Sequence, residues 1–486
     1  MRADPLRAPG SDSPNARTRR TWAGCLPVAA LVAAGAAAAD STFEPRISVG
    51  ASYVDNIDLA SPEEASDEEF VLLLLPGFKY DLQSPRLNIN ADYTLQALFY
   101  TGDSDRNESY NQFDGTATAA LVQDYFFLEA TGIATQQVID PSRPVNGSDN
   151  IFDTGGNMSD AVTATLAPYF KHHFGQTIAE ARYSQGFVNF SGEDSSGNIL
   201  EDTQQRRVYA SWETDPEQPQ RFTWKAFYDA QQADYEISPT FRYDQANVEL
   251  GYAVSRSIRL LATGGYESDL ITDSTDGGLD EAFYGGGLEL TLGQQHRLRA
   301  VAGHRFYGDS YEFAYHYDGR MLKLDGQYAD GPMTAAQELA LSPLSNNPNP
   351  GPISGHDLSR LSSEVYIRKY FNASARLVGR RTTIELRMTD YKRRYLSLDT
   401  QDHTTEVGLT FDRKLSSRTD LAAGATWRDF EGRDGESSKD MSYTLGFTRR
   451  MTASIIGTLK LSRVERTGNV SRYDVDWIML SVQKTF

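Results

Sequence analysis

From Asp40 onward the chain repeats one pattern: about ten residues of alternating polarity, then a turn. Leu87, Ile89, Ala91, Tyr93, Leu95, Ala97 and Phe99 fall on one face of such a segment, and Asn88, Asn90, Asp92, Thr94 and Gln96 on the other. Side chains of a strand project alternately to its two sides, so one face meets an apolar medium and the other meets water. Phe222, Trp224, Ala226 and Tyr228 stand in the same way against Thr223, Lys225, Phe227 and Asp229. Ile384, Leu386 and Met388 oppose Glu385, Arg387 and Thr389, and Met441, Tyr443, Leu445 and Phe447 oppose Ser442, Thr444, Gly446 and Thr448. Helical periodicity is nearly absent.

The connections alternate between short and long. Gln83-Ser84-Pro85, Val122-Gln123-Asp124, Val254-Ser255-Arg256, Asp318-Gly319-Arg320, Lys414-Leu415-Ser416 and Arg449-Arg450-Met451 are short. Between them lie longer polar links at 55–69, 100–110, 136–159, 191–202, 231–241, 269–280, 329–361, 396–401, 431–437 and 467–472; only Gly308-Asp309-Ser310 breaks that series. A soluble sandwich has no reason to gather its long loops at one end, whereas a barrel of the Gram-negative outer membrane has short periplasmic turns and longer extracellular loops. Strand starts fall near residues 45, 70, 86, 111, 124, 160, 176, 203, 220, 242, 257, 281, 297, 310, 321, 362, 381, 402, 418, 438, 452 and 473. The expected fold is all-β: an antiparallel up-and-down transmembrane β-barrel of about 22 strands, within a range of roughly 18 to 22.

Composition removes the competing classes. A mean hydropathy of -0.49 excludes a bundle of apolar membrane helices. With 11% aromatic residues the chain is no disordered polymer. A pI near 4.9 argues against nucleic acid as a partner, since phosphate contacts need a basic surface.

Arg17, Arg19 and Arg20 precede an apolar stretch from Trp22 to Ala39 that ends in Ala37-Ala38-Ala39, the order of a secretory signal. Residues 1–39 are therefore expected to be a cleaved signal peptide and 40–486 the barrel. The single cysteine, Cys25, lies near the start of that signal's apolar stretch, most of which follows it, and this speaks against lipidation. Cleavage removes it, and with it disulfides, cysteine–zinc sites and cysteine nucleophiles. Five of 47 basic residues and two of 66 acidic ones go too, so the net charge moves from -19 to -22.

The chain ends on Phe486, with Ile478, Leu480 and Val482 on the same face of the last strand. This looks like the terminal signature read by the barrel assembly machinery, with Lys484 as its one departure. Outer-membrane lipids and lipopolysaccharide are the other expected partners.

A barrel of 16 or more strands leaves an aqueous lumen or holds a plug. The face expected to line it is hydrophilic and mixed in sign: Asp92, Glu180, Arg182, Lys225, Asp229, Asn247, Glu249, Arg299, Arg305, Glu385, Arg387, Tyr391, Glu406, Arg428 and Lys460. These are wall residues paired across strands, or charge rings that bias permeation. Strand pattern begins close to Asp40, so a plug has to be a loop or a separate chain. The internal candidate is 329–361, where Pro332, Pro343, Pro348, Pro350 and Pro352 limit regular structure; the alternative is an ordinary external loop.

Asp55, Asp58, Glu63, Glu64, Asp67, Glu68 and Glu69 crowd the first long link without the spacing of a calcium loop, which reads as a solvated charge run. Of the seven histidines, His172 and His173 occupy an expected periplasmic turn, while His296, His304, His316, His356 and His403 are scattered. No metal site, cofactor or catalytic constellation is expected, and enzymatic activity is not. Gly285-Gly286-Gly287 lies within a strand, where glycine relieves crowding. Tyr311, Phe313, Tyr315 and Tyr317 share a face that belongs to lipid or its interface, not to a sugar path.

Ile47-Ser48-Val49-Gly50-Ala51-Ser52-Tyr53 followed by Asp55-Asn56, then Gly303-His304-Arg305-Phe306-Tyr307-Gly308, then Val365-Tyr366 leading to Gly379-Arg380-Arg381, carry a resemblance. Over the whole exported chain these stretches resemble the outer-membrane β-barrel family associated with the PEP-CTERM/exosortase system. That resemblance implies a role in secreting or organising exopolysaccharide, with periplasmic polysaccharide-export components as partners. It supplies no catalytic residues. The resulting expectation is a passive conduit for exopolysaccharide; the alternatives are a general diffusion porin for small solutes and a structural scaffold with a sealed lumen.

Overall fold

The computed structural model describes residues 40–141, 143, 157–191, 201–218, 220–268, 270, 279–335, 337–338, 364–396 and 400–486. The expected signal peptide, Cys25 and all of 339–363 lie outside the described residues.

Alternating side chains make strands, and each strand ends where a turn or a polar link interrupts the alternation. The first group is β1 (Asp40–Val54), β2 (Glu69–Gln83), β3 (Leu87–Tyr100), β4 (Glu108–Val122), β5 (Phe126–Val138), β6 (Met158–Phe174) and β7 (Thr177–Ser191). There follow β8 (Thr203–Thr214), β9 (Phe222–Tyr235), β10 (Phe241–Ala253), β11 (Ile258–Glu267), β12 (Glu281–Leu292), β13 (His296–Arg305), β14 (Gly308–Asp318) and β15 (Leu322–Met333). The last group is β16 (Tyr366–Val378), β17 (Thr382–Tyr395), β18 (Thr400–Lys414), β19 (Thr419–Glu431), β20 (Ser437–Arg450), β21 (Ile455–Gly468) and β22 (Arg472–Thr485). The 22 starts lie within five residues of those read from the sequence; the largest gap is at β1, expected at 45 and found at 40.

Each strand pairs antiparallel with the next in sequence, and β1 also pairs with β22, from Arg46 opposite Thr485 to Val54 opposite Trp477. The sheet is therefore closed. Closure matters because an open edge in hydrocarbon leaves backbone N–H and C=O groups unpaired, each at a cost of several kcal/mol. Short turns lie at the periplasmic end, including Gly175-Gln176 between β6 and β7, where Gly175 takes a φ of +65°. His172 and His173 belong to the end of β6 and not to that turn, because the alternation of Phe170, His172 and Phe174 runs on to it. The long links lie at the extracellular end, and the tight β13–β14 hairpin at Phe306-Tyr307 is the exception there.

Leu72, Phe99, Leu250, Leu260, Leu386, Met388, Leu409, Leu445, Leu461 and Leu480 are exposed on the outer face, where lipid replaces water as their medium. Ile478, Leu480, Val482 and Phe486 share that face, and the Phe486 amide donates to the Pro45 carbonyl at 3.0 Å. Lys484 lies 4.5 Å from the Phe486 ring centroid, at the periplasmic border where a lysine reaches water. Tyr311, Phe313, Tyr315 and Tyr317 pair with Ala302, Ala300, Leu298 and His296 on the outer face.

In β12 the three glycines are not equivalent. A Cβ on Gly287 would collide with the Ala300 carbonyl oxygen and with Val301 of β13, whereas a Cβ on Gly286 would meet only Leu261 O at 3.7 Å. Gly287→Ala is expected to lower stability by about 1–3 kcal/mol and Gly286→Ala by no more than about 0.5 kcal/mol. Urea refolding midpoints of the two variants check this; equal midpoints would show that β12 and β13 can separate at no cost.

Candidate functional site

The barrel interior is the candidate site. Register places Asp92 on β3, Glu180 and Arg182 on β7, Lys225 and Asp229 on β9, Glu249 on β10, and Arg299 and Arg305 on β13, each on the face opposite the exposed apolar row of its strand. Glu385, Arg387 and Tyr391 on β17, Arg428 on β19 and Lys460 on β21 do the same. The Arg387 side chain is 58% exposed although it points inward, so the lumen beside it is open space of at least a water's width.

A charge on a strand wall meets partners two residues along its own strand or across to a neighbour, and the interior is laced in both ways. Arg46 of β1 reaches over Gly77 of β2 to Asp92 (Nη1–Oδ2 3.0 Å) and Thr94 (2.8 Å) of β3. A Cβ on Gly77 would collide with the Tyr93 carbonyl oxygen of β3 and also crowd Thr94 Oγ1 (3.1 Å) and Arg46 Nε (3.3 Å). Arg182 lies between Glu129 (3.2 Å) and Glu180 (3.3 Å). Arg207 holds Asp229 at 2.6 Å, and Lys225 lies 3.4 Å from Glu213. Arg299 is met by Glu249 (2.6 Å), Glu289 (3.0 Å) and Glu312 (2.8 Å). Arg305 donates to Glu267, which is fully buried and also accepts from the Tyr243 hydroxyl at 2.7 Å. Glu385 joins Arg387 (2.9 Å) and Arg376 (3.8 Å). Asp440 is shared by Arg428 and Arg466. Lys460 lies 5.2 Å from the Trp477 ring. Recesses of ≈ 460 Å³ beside Lys225, Glu249 and Arg299, and ≈ 430 Å³ beside Glu129, Arg182 and Tyr209, open between these ladders.

The segment after β15 turns into the barrel. Thr334 and Gln337 form a reciprocal cap: the Gln337 amide donates to Thr334 Oγ1 (3.3 Å) and the Thr334 amide donates to Gln337 Oε1 (3.0 Å). One helical turn follows, in which the Glu338 amide donates to the Thr334 carbonyl at 3.0 Å. It aims Glu338 at the inner wall of β16 and β17. There its Oε2 accepts from the Tyr366 hydroxyl (2.8 Å), the Tyr391 hydroxyl (2.6 Å) and Arg393 Nη2 (2.5 Å), while Arg368 lies 3.6 Å from Oε1. Arg393 is 1% exposed and lies 4.4 Å from the Tyr366 ring centroid. From the same turn the Gln337 side-chain Nε2 donates to Gln231 Oε1 of β9 at 2.9 Å. The turn thus links β9 to β16–β17, seven strands further round the ring. Of the two readings of 329–361, the inward one describes 334–338, and Pro332 closes β15 opposite Ile367.

Two other links enter the mouth. Arg466 of β21 donates to the Pro141 carbonyl at 3.1 Å and to the Arg143 carbonyl, both from the link after β5. Ile57 and Leu59, from the first long link, pack on Val54, Val71, Leu73, Leu98, Val475 and Trp477. The inner wall was expected to be hydrophilic throughout. Along β21, β22 and β1–β4 at the extracellular end it is apolar, because the inturned link and not water covers it. Glu63, Glu64, Asp67 and Glu68 are exposed, as a solvated run requires, but Glu69 is buried and accepts from the Thr101 and Gly102 amides (3.1 and 2.9 Å). Among the described residues no group of three or more His, Cys, Asp or Glu side chains could hold a metal ion.

Alternation picked out the wall residues, but it missed Arg46, Glu267, Glu338, Arg393, Asp440 and Arg466. Most of these sit at strand ends or in links, where the alternating signal fades. The Thr334-x-x-Gln337 spacing was the one signal that could have marked the inturned segment.

No protein-family model matches the sequence, and no curated relative matches it. Solved structures do. A mutant of the ferric enterobactin receptor PfeA from Pseudomonas aeruginosa aligns over 92% of this chain and 81% of its own, with a TM-score of 0.51 and 9% identity. The FrpB iron transporter from Neisseria meningitidis (F3-3 variant) aligns over 92% and 82%, with a TM-score of 0.52 and 9% identity. At such identities the likeness is one of fold: this chain has the fold of outer-membrane β-barrels.

Arg393→Ala is expected to leave Glu338 with only the more distant Arg368 and the two phenols for compensation, at a cost of about 3 kcal/mol, and to release the turn. Hydrogen exchange at the Gln337 and Glu338 amides measures this; unchanged protection would show that the turn is held elsewhere. Burial pushes the Glu338 carboxyl up, but Arg393 and Arg368, with the two tyrosine hydroxyls, pull it further down, so it sits below its ordinary value. A depressed carboxyl gives stability that is present above its unfolded pKa and lost as pH falls through its folded one. The same protection should therefore hold from about pH 8 to about pH 5 and fail only well below the ordinary glutamate value of about 4.3.

Proposed function

We propose that this chain is a passive outer-membrane conduit, without enzymatic activity, whose bore is set by the inturned segment after β15 and which carries exopolysaccharide. The observation that carries the reading is the Glu338 clasp: a loop tied across a lumen whose wall below it is polar and faces open space. Inward tyrosines and phenylalanines such as Tyr209, Phe227, Tyr370 and Tyr391, set among paired arginines and carboxylates, offer the flat apolar faces and fixed polar groups that suit a sugar chain. The polysaccharide itself is supported by the resemblance in sequence. On this reading a periplasmic polysaccharide-export component docks at the turn end, and the assembly machinery inserts the barrel by way of Ile478, Leu480, Val482 and Phe486.

The apolar cover made by Ile57 and Leu59 favours a second reading, a scaffold barrel with a sealed mouth. Single-channel recording in planar bilayers separates the two. For the conduit, the intact protein passes little current, Glu338→Ala raises it severalfold, and added exopolysaccharide blocks the raised current. A raised current that polysaccharide leaves untouched identifies a small-solute porin. No current from either protein identifies the scaffold.

A further inference from the structure

The outer wall at the extracellular end carries a feature that the lumen does not explain. Lys369 of β16 stands directly opposite Lys392 of β17, on the face that carries Leu386 and Met388 to lipid. Both lysines are exposed, and Arg394 is exposed one step nearer the loops on the same face. Like charges directly across a strand pair are destabilising. Neither lysine has an ion-pair or hydrogen-bond partner among the described residues, and Arg394 makes only a long bond to the Tyr307 carbonyl, at 3.4 Å. The two neighbouring carboxylates keep their charge but turn their oxygens to other donors, so neither lysine is ion-paired and the three cations outnumber the two anions. Asp330, opposite Lys369 on β15, accepts from Tyr307 (2.6 Å), Ser310 (2.5 Å) and the Tyr311 amide (2.9 Å). Asp390 pairs with His403 (2.7 Å) and Thr405 (3.0 Å).

Toward the periplasm, beyond Asp390, the same face turns apolar through Phe371, Ala373 and Ala375 on β16 and Met388 and Leu386 on β17. Met388 and Lys392 are four residues apart, about 13 Å along a strand. Such a face sets cations at headgroup height above a wall for acyl chains. Elsewhere on the rim Arg463 is already surrounded by Glu465, Asp474 and Asp476, which leaves that side negative.

We propose that Lys369, Lys392 and Arg394 seat a phosphate of a phosphorylated glycolipid of the outer leaflet, whose acyl chains lie along β16 and β17. Exposed phosphate oxygens supply the anions that the two lysines lack. The proposal does not depend on what the lumen carries.

Native mass spectrometry of the folded barrel in neutral detergent tests it, with diphosphorylated lipid A and its dephosphorylated form as probes. One equivalent of the phosphorylated lipid should be retained, and high salt should release it. Retention should fall about tenfold in K369Q/K392Q and stay unchanged in K439Q, whose outer-face lysine already faces Asp429 at 3.4 Å. Substituting glutamine relieves repulsion, so the double variant should fold, as a heat-dependent shift in electrophoretic mobility will show. Equal retention of both lipids, full retention by the double variant, or insensitivity of the intact protein to salt would each overturn the proposal.

Discussion

Hydrogen bonding between β1 and β22 is the interaction on which the rest of the molecule depends. Within hydrocarbon no water stands in for a missing partner, so a strand is tolerated only with a neighbour on both sides. Closure then fixes two media at a distance of one side chain, apolar outside and aqueous within. A slip of one residue in any pairing would send a row such as Leu386 and Met388 into the lumen and Glu385, Arg387 and Thr389 into lipid. The strict two-residue period is the direct result.

The same constraint explains why the architecture was legible in the sequence. Strand starts, the end carrying the long links and the wall set from Asp92 to Lys460 all follow from a period that lipid enforces. Partner choice was less legible. Arg299 of β13 meets glutamates on β12 and β14, which pair with it, and on β10, three strands round the wall, which no local pattern foretells. Glu338 lies 55 residues before Arg393 and outside any alternation, so nothing local marks it as the partner of a buried arginine. Ile57 and Leu59 were hidden differently. Two apolar residues within an acidic run look like part of a solvated link, and only the apolar inner wall of β21, β22 and β1–β4 shows where they go. Of the prolines of 329–361 only Pro332 lies among the described residues, within β15, and the proline pattern drew attention from the cap at Thr334 and Gln337.

The inner wall is held by two kinds of contact with different physics. Wall ladders such as Arg182 with Glu129 and Glu180 are partly exposed; water screens them, and each contributes little to stability. Their role is to keep charged side chains flat against the wall. The Arg393–Glu338 pair has lost most of its water, so its worth depends on the tyrosine hydroxyls that complete its hydrogen bonding. Breaking one member leaves the other only partly compensated, by Arg368 at 3.6 Å and the two hydroxyls in the case of Glu338. A contact of that kind is either fully formed or strongly disfavoured, which is the behaviour of a latch.

The two covers of the mouth therefore differ in how they can respond. Ile57 and Leu59 are held by burial of apolar surface, which is non-directional and largely indifferent to salt and to pH. The turn at 334–338 is held by directional bonds to one carboxylate and by one side-chain hydrogen bond from Gln337 to Gln231, with little apolar packing among the described residues beyond Ala335 and Met333. A force or ligand acting from within the lumen meets Tyr391 and Arg393 before it meets the apolar cover only on the side of β16 and β17. Competition for those donors is chemically available to hydroxyl-rich or anionic solutes, whereas the apolar cover offers them nothing to bind. Any opening of this barrel by its own cargo should thus begin beside β16 and β17, with the cover over β21, β22 and β1–β4 remaining in place as part of the wall.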